Sequence, residues 1–355
     1  MSRMTSRTTS DNREPWTGTT RGWAWRVALV GLCAAMIEAC GPPQQAVTPD
    51  LDADPPPGVT AGTGTATSEL QRGIAHVKAE RYADARPHLE KARELDAKNP
   101  EILFYLGLVK AETGDVPGAE AAYRDALKLD PKFIEASENL GALFLGEPAR
   151  PDEAITVLHE ALKIAPDNVR LMQNLAFAYG LKGDVEGASK QYEAALAKGD
   201  DGRLRFAYGS FLFDAKKFDK AAEQLKKVLE KTADDDVAML ATLGLLLGQS
   251  KAFGDCVTAY DRALKVKPEA ERFVRRGRCK HELGDKPGAK TDYEAAVKTD
   301  AEFAPAHYYL GLSLLEEKKR QSAITEFEKA SKVGAGTPIG KLAKDKLDAL
   351  NAQKK

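Results

Sequence analysis

A spacing of about 34 residues repeats through most of this chain and restricts its fold more than any other feature. Small residues recur at this interval in two series, and a large apolar residue follows each member of the second series by four positions. Spacings of 3, 4 and 7 place residues on one face of a helix. The first series comprises Gly73, Gly107, Gly141, Ala176, Gly209, Gly244, Gly277 and Gly311. The large residues are Leu89, Tyr123, Leu158, Tyr192, Leu225, Tyr260, Tyr293 and Phe327.

Each 34-residue unit is predicted to contain two helices, because turn signals occur at two places in it. Gly-Asp pairs at 114–115, 183–184 and 284–285 separate the first helix from the second. Proline then ends several units, since it cannot continue a helix but suits the first turn of the next one. The small residues let the two helices approach closely, and the large residues fill the space beside them.

This pattern resembles the tetratricopeptide repeat (TPR), whose unit is a helix hairpin of 34 residues. The resemblance implies an all-α fold, a right-handed α-solenoid of about eight TPR hairpins over residues 68–333. One hairpin cannot bury its apolar face alone, so stacked neighbours bury it. Residues 334–355 are predicted to form a C-terminal capping helix with a polar outer face.

The first 67 residues are predicted to form a targeting signal followed by a tether. Residues 1–39 combine a basic start with a short apolar run that is too short for a comfortable membrane span, as in a signal peptide. Ile37 to Gly41 resembles the lipobox of bacterial lipoproteins, in which Cys40 would carry the lipid, although Glu38 departs from that pattern. A conventional signal with an incidental cysteine is the alternative. Residues 40–67, rich in Pro, Gly and Thr, are predicted to be a disordered tether.

The charge balance limits the classes of partner. The formal net charge is −1 at pH 7, and a near-neutral chain has no long-range field to attract nucleic acid. We therefore expect no nucleic-acid partner. Among the four cysteines, Cys256 and Cys279 fall in adjacent hairpins. They could pair if their Cα atoms lie within roughly 7 Å, or they could remain two packed thiols.

By resemblance to the TPR family, the first helix of each hairpin lines a groove that binds one or more proteins or extended peptides. Asn139 and Asn174 occupy the position whose amide grips a peptide backbone in related proteins, or they satisfy polar groups of neighbouring helices instead. The predicted groove residues are Phe104, Tyr105, Leu108, Asn139, Gln173, Asn174, Phe177, Phe206, Phe213, Arg275, Arg278, His281 and Tyr308.

A basic stretch in the seventh unit has two interpretations. Arg276 occupies a position that usually holds a buried Leu. Either its charge is solvated or paired with an acid of the sixth unit, such as Asp255 or Asp261, or it belongs to a basic pocket for an acidic partner. The carboxylate clamp of chaperone-binding TPR proteins is not expected, because Phe104 and Leu108 stand where its Lys and Asn would be.

We find no motif for catalysis in the sequence. No two of the five histidines have the i, i+3 or i+4 spacing with which one helix holds a metal ion. Residues 334–341 resemble a phosphate-binding loop only faintly, since Leu342 replaces the Ser or Thr that such a loop needs. We therefore expect no enzyme, no catalytic residue, no metal and no cofactor.

The sequence favours a TPR scaffold in the bacterial cell envelope. It would be lipid-anchored, on the outer membrane facing the periplasm, and would recruit or assemble partner proteins. Similar families include pilotins, adaptors of peptidoglycan hydrolases and outer-membrane assembly lipoproteins. A cytoplasmic TPR adaptor is the alternative, and an accessory part of a TPR-bearing glycosyltransferase is a remote one.

Overall fold

The structure is a computed structural model that describes residues 65–352. Within this range the chain forms seventeen α-helices and no strand, which confirms the predicted all-α fold. The helices are α1 Ala66–Lys78, α2 Tyr82–Leu95, α3 Pro100–Glu112, α4 Val116–Leu129, α5 Ile134–Leu145, α6 Pro151–Ile164, α7 Val169–Leu181, α8 Val185–Lys198, α9 Gly202–Asp214, α10 Phe218–Lys231, α11 Val237–Gln249, α12 Phe253–Val266, α13 Ala270–Glu282, α14 Lys286–Thr299, α15 Ala304–Glu316, α16 Arg320–Val333 and α17 Pro338–Ala352.

The helices belong to two compact units. The N-terminal unit extends to Lys182 and the C-terminal unit begins at Gly183. In the N-terminal unit α1 packs against α2, α3 against α4, and α5 against α6. In the C-terminal unit the paired helices are α9 with α10, α11 with α12, α13 with α14, and α15 with α16. Helices that are consecutive in the chain therefore pair as hairpins, as the spacing of the turn signals predicts.

The Gly-Asp pairs end one helix and start the next. Gly114 and Gly284 both have φ of +84°, a conformation that L side chains rarely adopt. The following Asp115 then caps α4, because its carboxylate accepts a hydrogen bond from the backbone N–H of Gly118 at 3.0 Å. Asp285 caps α14 in the same way. An N-cap of this kind satisfies a backbone donor that the first turn leaves without a partner.

Close packing inside the hairpins explains the glycines of the first series. A Cβ atom on Gly107 would lie 2.7 Å from the ring of Tyr123, and one on Gly277 would lie 2.6 Å from the ring of Tyr293. Both tyrosines are buried in the core. A side chain at either glycine would force the ring or the helix to move, and overpacking of this kind typically costs about 1–3 kcal/mol.

The last helix completes the core of the C-terminal unit. Helix α17 packs against α16 and α15. Its Ala343 and Leu350 are buried, and Leu342 and Leu347 are partly buried against the same core. The apolar face of the final hairpin is thereby covered.

The predictions for the N-terminus fall largely outside the described residues. The signal peptide at 1–39, Cys40 and most of the tether at 40–67 are in this category. The tether prediction runs too far, because α1 begins at Ala66 and the hydroxyl of Thr65 caps it by accepting from the N–H of Ser68. Among the helices of residues 65–352, none is long and apolar enough to cross a membrane.

Candidate partner-binding surface

A cleft of about 380 Å³ opens beside the first helix of the second hairpin. It lies within the N-terminal unit, where the starts of α3 and α5 and the loop before α5 meet. The structure brings together here two predicted groove residues, Phe104 and Tyr105, with five residues that sequence reasoning missed. We call this site the acidic aromatic cleft, and its lining consists of Pro100, Glu101, Phe104, Tyr105, Asp130, Phe133 and Glu135.

Three aromatic rings form the apolar part of the acidic aromatic cleft. The ring of Phe104 lies 5.1 Å from that of Tyr105 in an edge-on arrangement and 5.1 Å from that of Phe133 in a tilted one. All three side chains are half-buried. Aromatic pairs at these separations support one another, so the rings hold a defined position while part of their surface stays accessible.

Carboxylates surround the rings. Glu101 and Glu135 are exposed, and neither forms an ion pair with any residue of the described range 65–352. Asp130 is half-buried, and its carboxylate accepts a hydrogen bond from the backbone N–H of Lys132. Burial raises the pKa of the Tyr105 hydroxyl, and the charges of Glu101 and Glu135 raise it further. The cleft therefore has a negative potential.

The predicted asparagines are used largely inside the fold. Asn139 lies within hydrogen-bonding reach of the Tyr123 hydroxyl, whose pKa burial raises. Asn174 is 9% exposed. The contact of Asn139 therefore favours the alternative in which its amide satisfies a polar group of the scaffold, and buried Asn174 offers little surface to a partner. Gln173 and Phe177 of the same unit remain partly exposed.

A buried carboxylate lies next to Asn139 along α5. Glu138 is almost fully buried and forms an ion pair with Arg170 of α7. Burial raises the pKa of Glu138, while the charge of Arg170 works in the opposite direction. This acid therefore contacts its neighbour in the scaffold and offers little surface to a partner.

The basic groove residues of the C-terminal unit all have partners within that unit. Arg275 donates to the carboxylate of Glu271 at 2.6 and 2.9 Å. The guanidinium of Arg278 lies 5.1 Å from the ring centre of Tyr309. Nε2 of His281 is 3.0 Å from a carboxylate oxygen of Glu316. All three residues lie on the first helix α13, and their side chains already have partners within the unit.

One predicted groove residue of this unit is wrong. Tyr308 is only 2% exposed and packs against Phe327 in the core, with ring centres 5.8 Å apart. The neighbouring Tyr309 is half-buried and stacks on Tyr293 at 5.6 Å. The two tyrosines are adjacent in sequence, so a small error in the helical phase exchanges the core position for the accessible one. Phe206 and Phe213 are half-buried, as a groove position allows.

Arg276 is paired inside the fold. It donates to both carboxylate oxygens of Asp292, at 2.9 and 2.5 Å, and to Asp261 at 2.7 Å. Burial works to lower the pKa of Arg276, but its bonds to the two carboxylates outweigh burial and raise that pKa. Asp261 is one of the two candidate partners, Asp255 and Asp261, that the sequence offered. Asp292, which is 2% exposed and also pairs with Lys280, was missed.

Cys256 and Cys279 form a disulfide, with Cα atoms 6.4 Å apart. Both residues are fully buried and the bond joins α12 to α13. The sequence left pairing open. Residues 65–352 contain no group of three or more His, Cys, Asp or Glu side chains that could hold a metal ion.

Comparisons with known proteins identify the repeat. Two family models, both described as tetratricopeptide repeat, match this chain. One matches residues 70–133, 109–169 and 275–336, and the other matches residues 148–205. Together they cover more than half of the 355 residues.

Curated relatives match parts of the chain. The TPR repeat-containing protein YpiA of Bacillus subtilis is 29% identical over 42% of this chain and 35% of its own length. The peroxisomal targeting signal receptor of Saccharomyces cerevisiae is 27% identical over 52% of this chain and 30% of its own length. The chain thus spans about a third of the length of these relatives.

Two solved structures are also similar to this chain. MamA of Desulfovibrio magneticus is 23% identical, with a TM-score of 0.44, over 46% of this chain and 93% of that one. Yeast Tom70 is 16% identical, also with a TM-score of 0.44, over 84% of this chain and 66% of that one.

Proposed function

The chain belongs to the tetratricopeptide repeat family, and we propose that it is a lipid-anchored scaffold of a bacterial cell envelope. It holds partner proteins or extended peptides against the first helices of its hairpins. Cys40 carries the anchor, and the folded part lies on the periplasmic side of the outer membrane. Its role is to recruit or assemble envelope proteins rather than to catalyse a reaction.

The accessible faces of the first helices support the binding role. In the N-terminal unit they present the half-buried apolar side chains Leu108 and Phe177, in addition to the residues of the acidic aromatic cleft. Aromatic residues are among the types that concentrate binding energy at interfaces. The yeast relative is named a receptor for a targeting signal, and recognition of a polypeptide segment is the activity that we extend to this chain.

The disulfide is the observation that carries the proposed compartment. Disulfides form and persist in secreted and periplasmic proteins and are rare in the cytosol, where thiols are kept reduced. The bond between Cys256 and Cys279 joins two buried side chains. It therefore favours an envelope protein over a cytoplasmic adaptor. Because both side chains are buried, free thiols are alkylated during lysis in denaturant without reductant, and mass spectrometry is then expected to find both cysteines unmodified. Alkylated cysteines would indicate a reduced, cytoplasmic protein.

The anchor is tested by replacing the cysteine that carries it. Cys40→Ser is expected to abolish incorporation of labelled palmitate and to release the protein from the membrane fraction. Cys33→Ser is the matched control, because Cys33 lies in the same apolar segment and should leave labelling intact. Labelling that persists in Cys40→Ser would contradict the lipoprotein assignment.

The binding surface is tested by photo-crosslinking in the native host. A photoreactive amino acid at Leu108, on the first helix α3, is expected to capture specific partner proteins. The same group at Val116, which is exposed at the start of the second helix α4, the end away from the cleft, is the matched control and should capture few. The same set of partners at both positions would show that the first-helix face has no special role.

A further inference from the structure

We propose that the acidic aromatic cleft receives a basic side chain, lysine or arginine, from an extended partner peptide. This inference rests on the proposed function, since it names the chemistry of the segment that the scaffold holds. Three observations support it, namely the aromatic walls, the carboxylates without partners, and the size of the cleft.

The walls suit a cation with an apolar stem. Lysine and arginine lay their methylene stems along apolar surface and keep the charged head near polar groups. A cation placed over an aromatic face within about 6 Å of its centre is attracted by the ring. Phe104, Tyr105 and Phe133 offer such surfaces close together, with ring centres 5.1 Å apart in each adjoining pair.

The carboxylates supply charge that the fold does not neutralise. Elsewhere in the same unit, Glu120 is held by Arg124 and Arg150, and its pKa is lowered mainly by the hydrogen bond from Arg150. By contrast, neither Glu101 nor Glu135 has a cationic partner within residues 65–352. Like charges that share one cleft repel each other, and a bound cation removes that repulsion.

The position of these two acids also helps their own helices. Glu101 lies in the first turn of α3 and Glu135 in the first turn of α5, where negative charge complements the helix dipole. This effect accounts for each acid separately. It does not account for the meeting of both acids, together with Asp130, at one cleft between three aromatic rings.

The size of the cleft limits the ligand. Its volume of about 380 Å³ lies near the lower end of the range for small-molecule pockets, about 300–1,000 Å³. A single long side chain with part of its backbone fits this space. A folded domain does not, so the ligand is a side chain presented by an extended segment.

The test is a peptide selection on the full chain. A phage-displayed library of random nonapeptides is selected on the wild type and on the double variant Glu101→Gln, Glu135→Gln. The matched control is Glu112→Gln, which removes an exposed acid at the other end of α3, outside the cleft. Wild type and control are expected to select peptides with Lys or Arg at one shared position. The double variant should lose that preference.

A selected peptide then measures the contribution of the charge. It is synthesised with arginine or with the neutral isostere citrulline at the shared position, and its affinity is measured by fluorescence anisotropy. The arginine peptide should bind about tenfold more tightly to wild type and control, from the combined ion pairs and ring contacts. The preference should fall below about twofold in the double variant and weaken with added salt.

The outcomes separate the two proposals. Selection of no peptide by any of the three proteins contradicts the proposed function, and the role of the cleft with it. Selection of peptides that lack a basic position overturns the role of the cleft alone. An arginine preference that is unchanged in the double variant does the same.

Discussion

The acidic aromatic cleft of the N-terminal unit and the basic stretch of the C-terminal unit treat charge in opposite ways. In the N-terminal unit, Glu101 and Glu135 lack ion-pair partners among residues 65–352, and their charges remain available at the acidic aromatic cleft. In the C-terminal unit, Arg275 and Arg276 are both bound by carboxylates of the same unit, and His281 contacts Glu316. The same 34-residue hairpin can therefore leave a charge available to a partner or pair it with an opposite charge inside the fold. Charge in a groove indicates binding only where the fold leaves it uncompensated.

The largest effect is expected from breaking the buried pair of the C-terminal unit. Asp292→Ala leaves Arg276, which is 17% exposed, without its main partner. Loss of one member of a buried pair typically costs about 3–5 kcal/mol, and the remaining bond to Asp261 places this variant near the lower end. Hydrogen exchange of α13 and α14 measures the loss locally.

A second variant shows whether the stability lost in Asp292→Ala comes from the unpaired charge of Arg276 or from the substitution at that position itself. In Arg276→Leu, Asp292→Leu both charges are removed, and Leu is the residue that the repeat usually has at the position of Arg276. This double variant should recover at least half of the stability that Asp292→Ala loses. A loss below about 1 kcal/mol in the single variant would be inconsistent with a buried pair and would make the units alike in this respect.

The disulfide provides the next largest contrast, because it lies in the C-terminal unit alone. Cys256→Ala with Cys279→Ala keeps small residues at two packed positions and removes the link between α12 and α13. The two cysteines are 23 residues apart in the sequence, and a disulfide that closes a loop of this size typically contributes about 2–4 kcal/mol to the free energy of unfolding. Hydrogen-exchange protection of α12 and α13 should fall accordingly, while that of α3 and α5 stays unchanged. Equal protection before and after reduction of the wild type would contradict this expectation.

Much of the fold follows from local pattern. The packing of Gly107 on Tyr123 and of Gly277 on Tyr293 was predictable, because both members of each pair lie in one hairpin at a fixed spacing. The left-handed glycines were predictable for the same reason, since the turn needs a φ that glycine adopts freely. Because the pattern occurs in every hairpin, each repeat supports the same prediction of the fold.

The candidate site was only half predictable. Phe104 and Tyr105 follow from the helical phase of one hairpin. Glu101 and Glu135 do not, because an acid in a first turn also has a purely helical explanation, and their convergence depends on how two successive hairpins pack. An Arg at the Leu position of the repeat indicated a buried counter-charge, yet nothing local favoured Asp292 over Asp261. The residue that was wrong, Tyr308, lies one position from the accessible Tyr309.

Acid titration gives a third contrast, beginning with Glu326 in the C-terminal unit. Burial tends to raise its pKa, but hydrogen bonds from His307 and Lys329 outweigh burial and lower it. A carboxyl group whose pKa is lower in the folded protein than in the unfolded chain, where it is about 4.3, stabilises the fold at pH values above that unfolded-state pKa. This contribution is lost as the pH falls through the folded-state pKa. Glu326→Gln should therefore cost about 1–2 kcal/mol at pH 7, and the difference from wild type should shrink as the pH falls below about 4.

Glu138 in the N-terminal unit should respond with the opposite sign. Its pKa is raised, mainly by burial, so the fold disfavours the ionised form and gains stability as the pH falls through the raised folded-state value. Glu138→Gln should therefore be as stable as wild type at pH 7 or more stable, by up to about 1 kcal/mol. Urea unfolding of both variants between pH 3 and pH 7 is the measurement. The same sign for Glu138→Gln and Glu326→Gln would remove this contrast.

The smallest effect is expected where a charge of the C-terminal unit is released to solvent. Glu271→Gln removes the partner of Arg275 one turn away on α13, and such a pair contributes only about 0.2–0.5 kcal/mol to the helix. Stability should therefore hardly change, but Arg275 becomes available to a ligand.

A fluorescein-labelled peptide of alternating Gly and Glu should bind Glu271→Gln about twofold more tightly than wild type, whereas a Gly and Gln peptide should not distinguish them. Glu282→Gln, an exposed acid at the end of the same helix, is the control. If the acidic peptide binds all three proteins equally, the ion pair with Glu271 is not what prevents Arg275 from binding an acidic ligand. The difference between the two units must then come from the aromatic walls of the cleft.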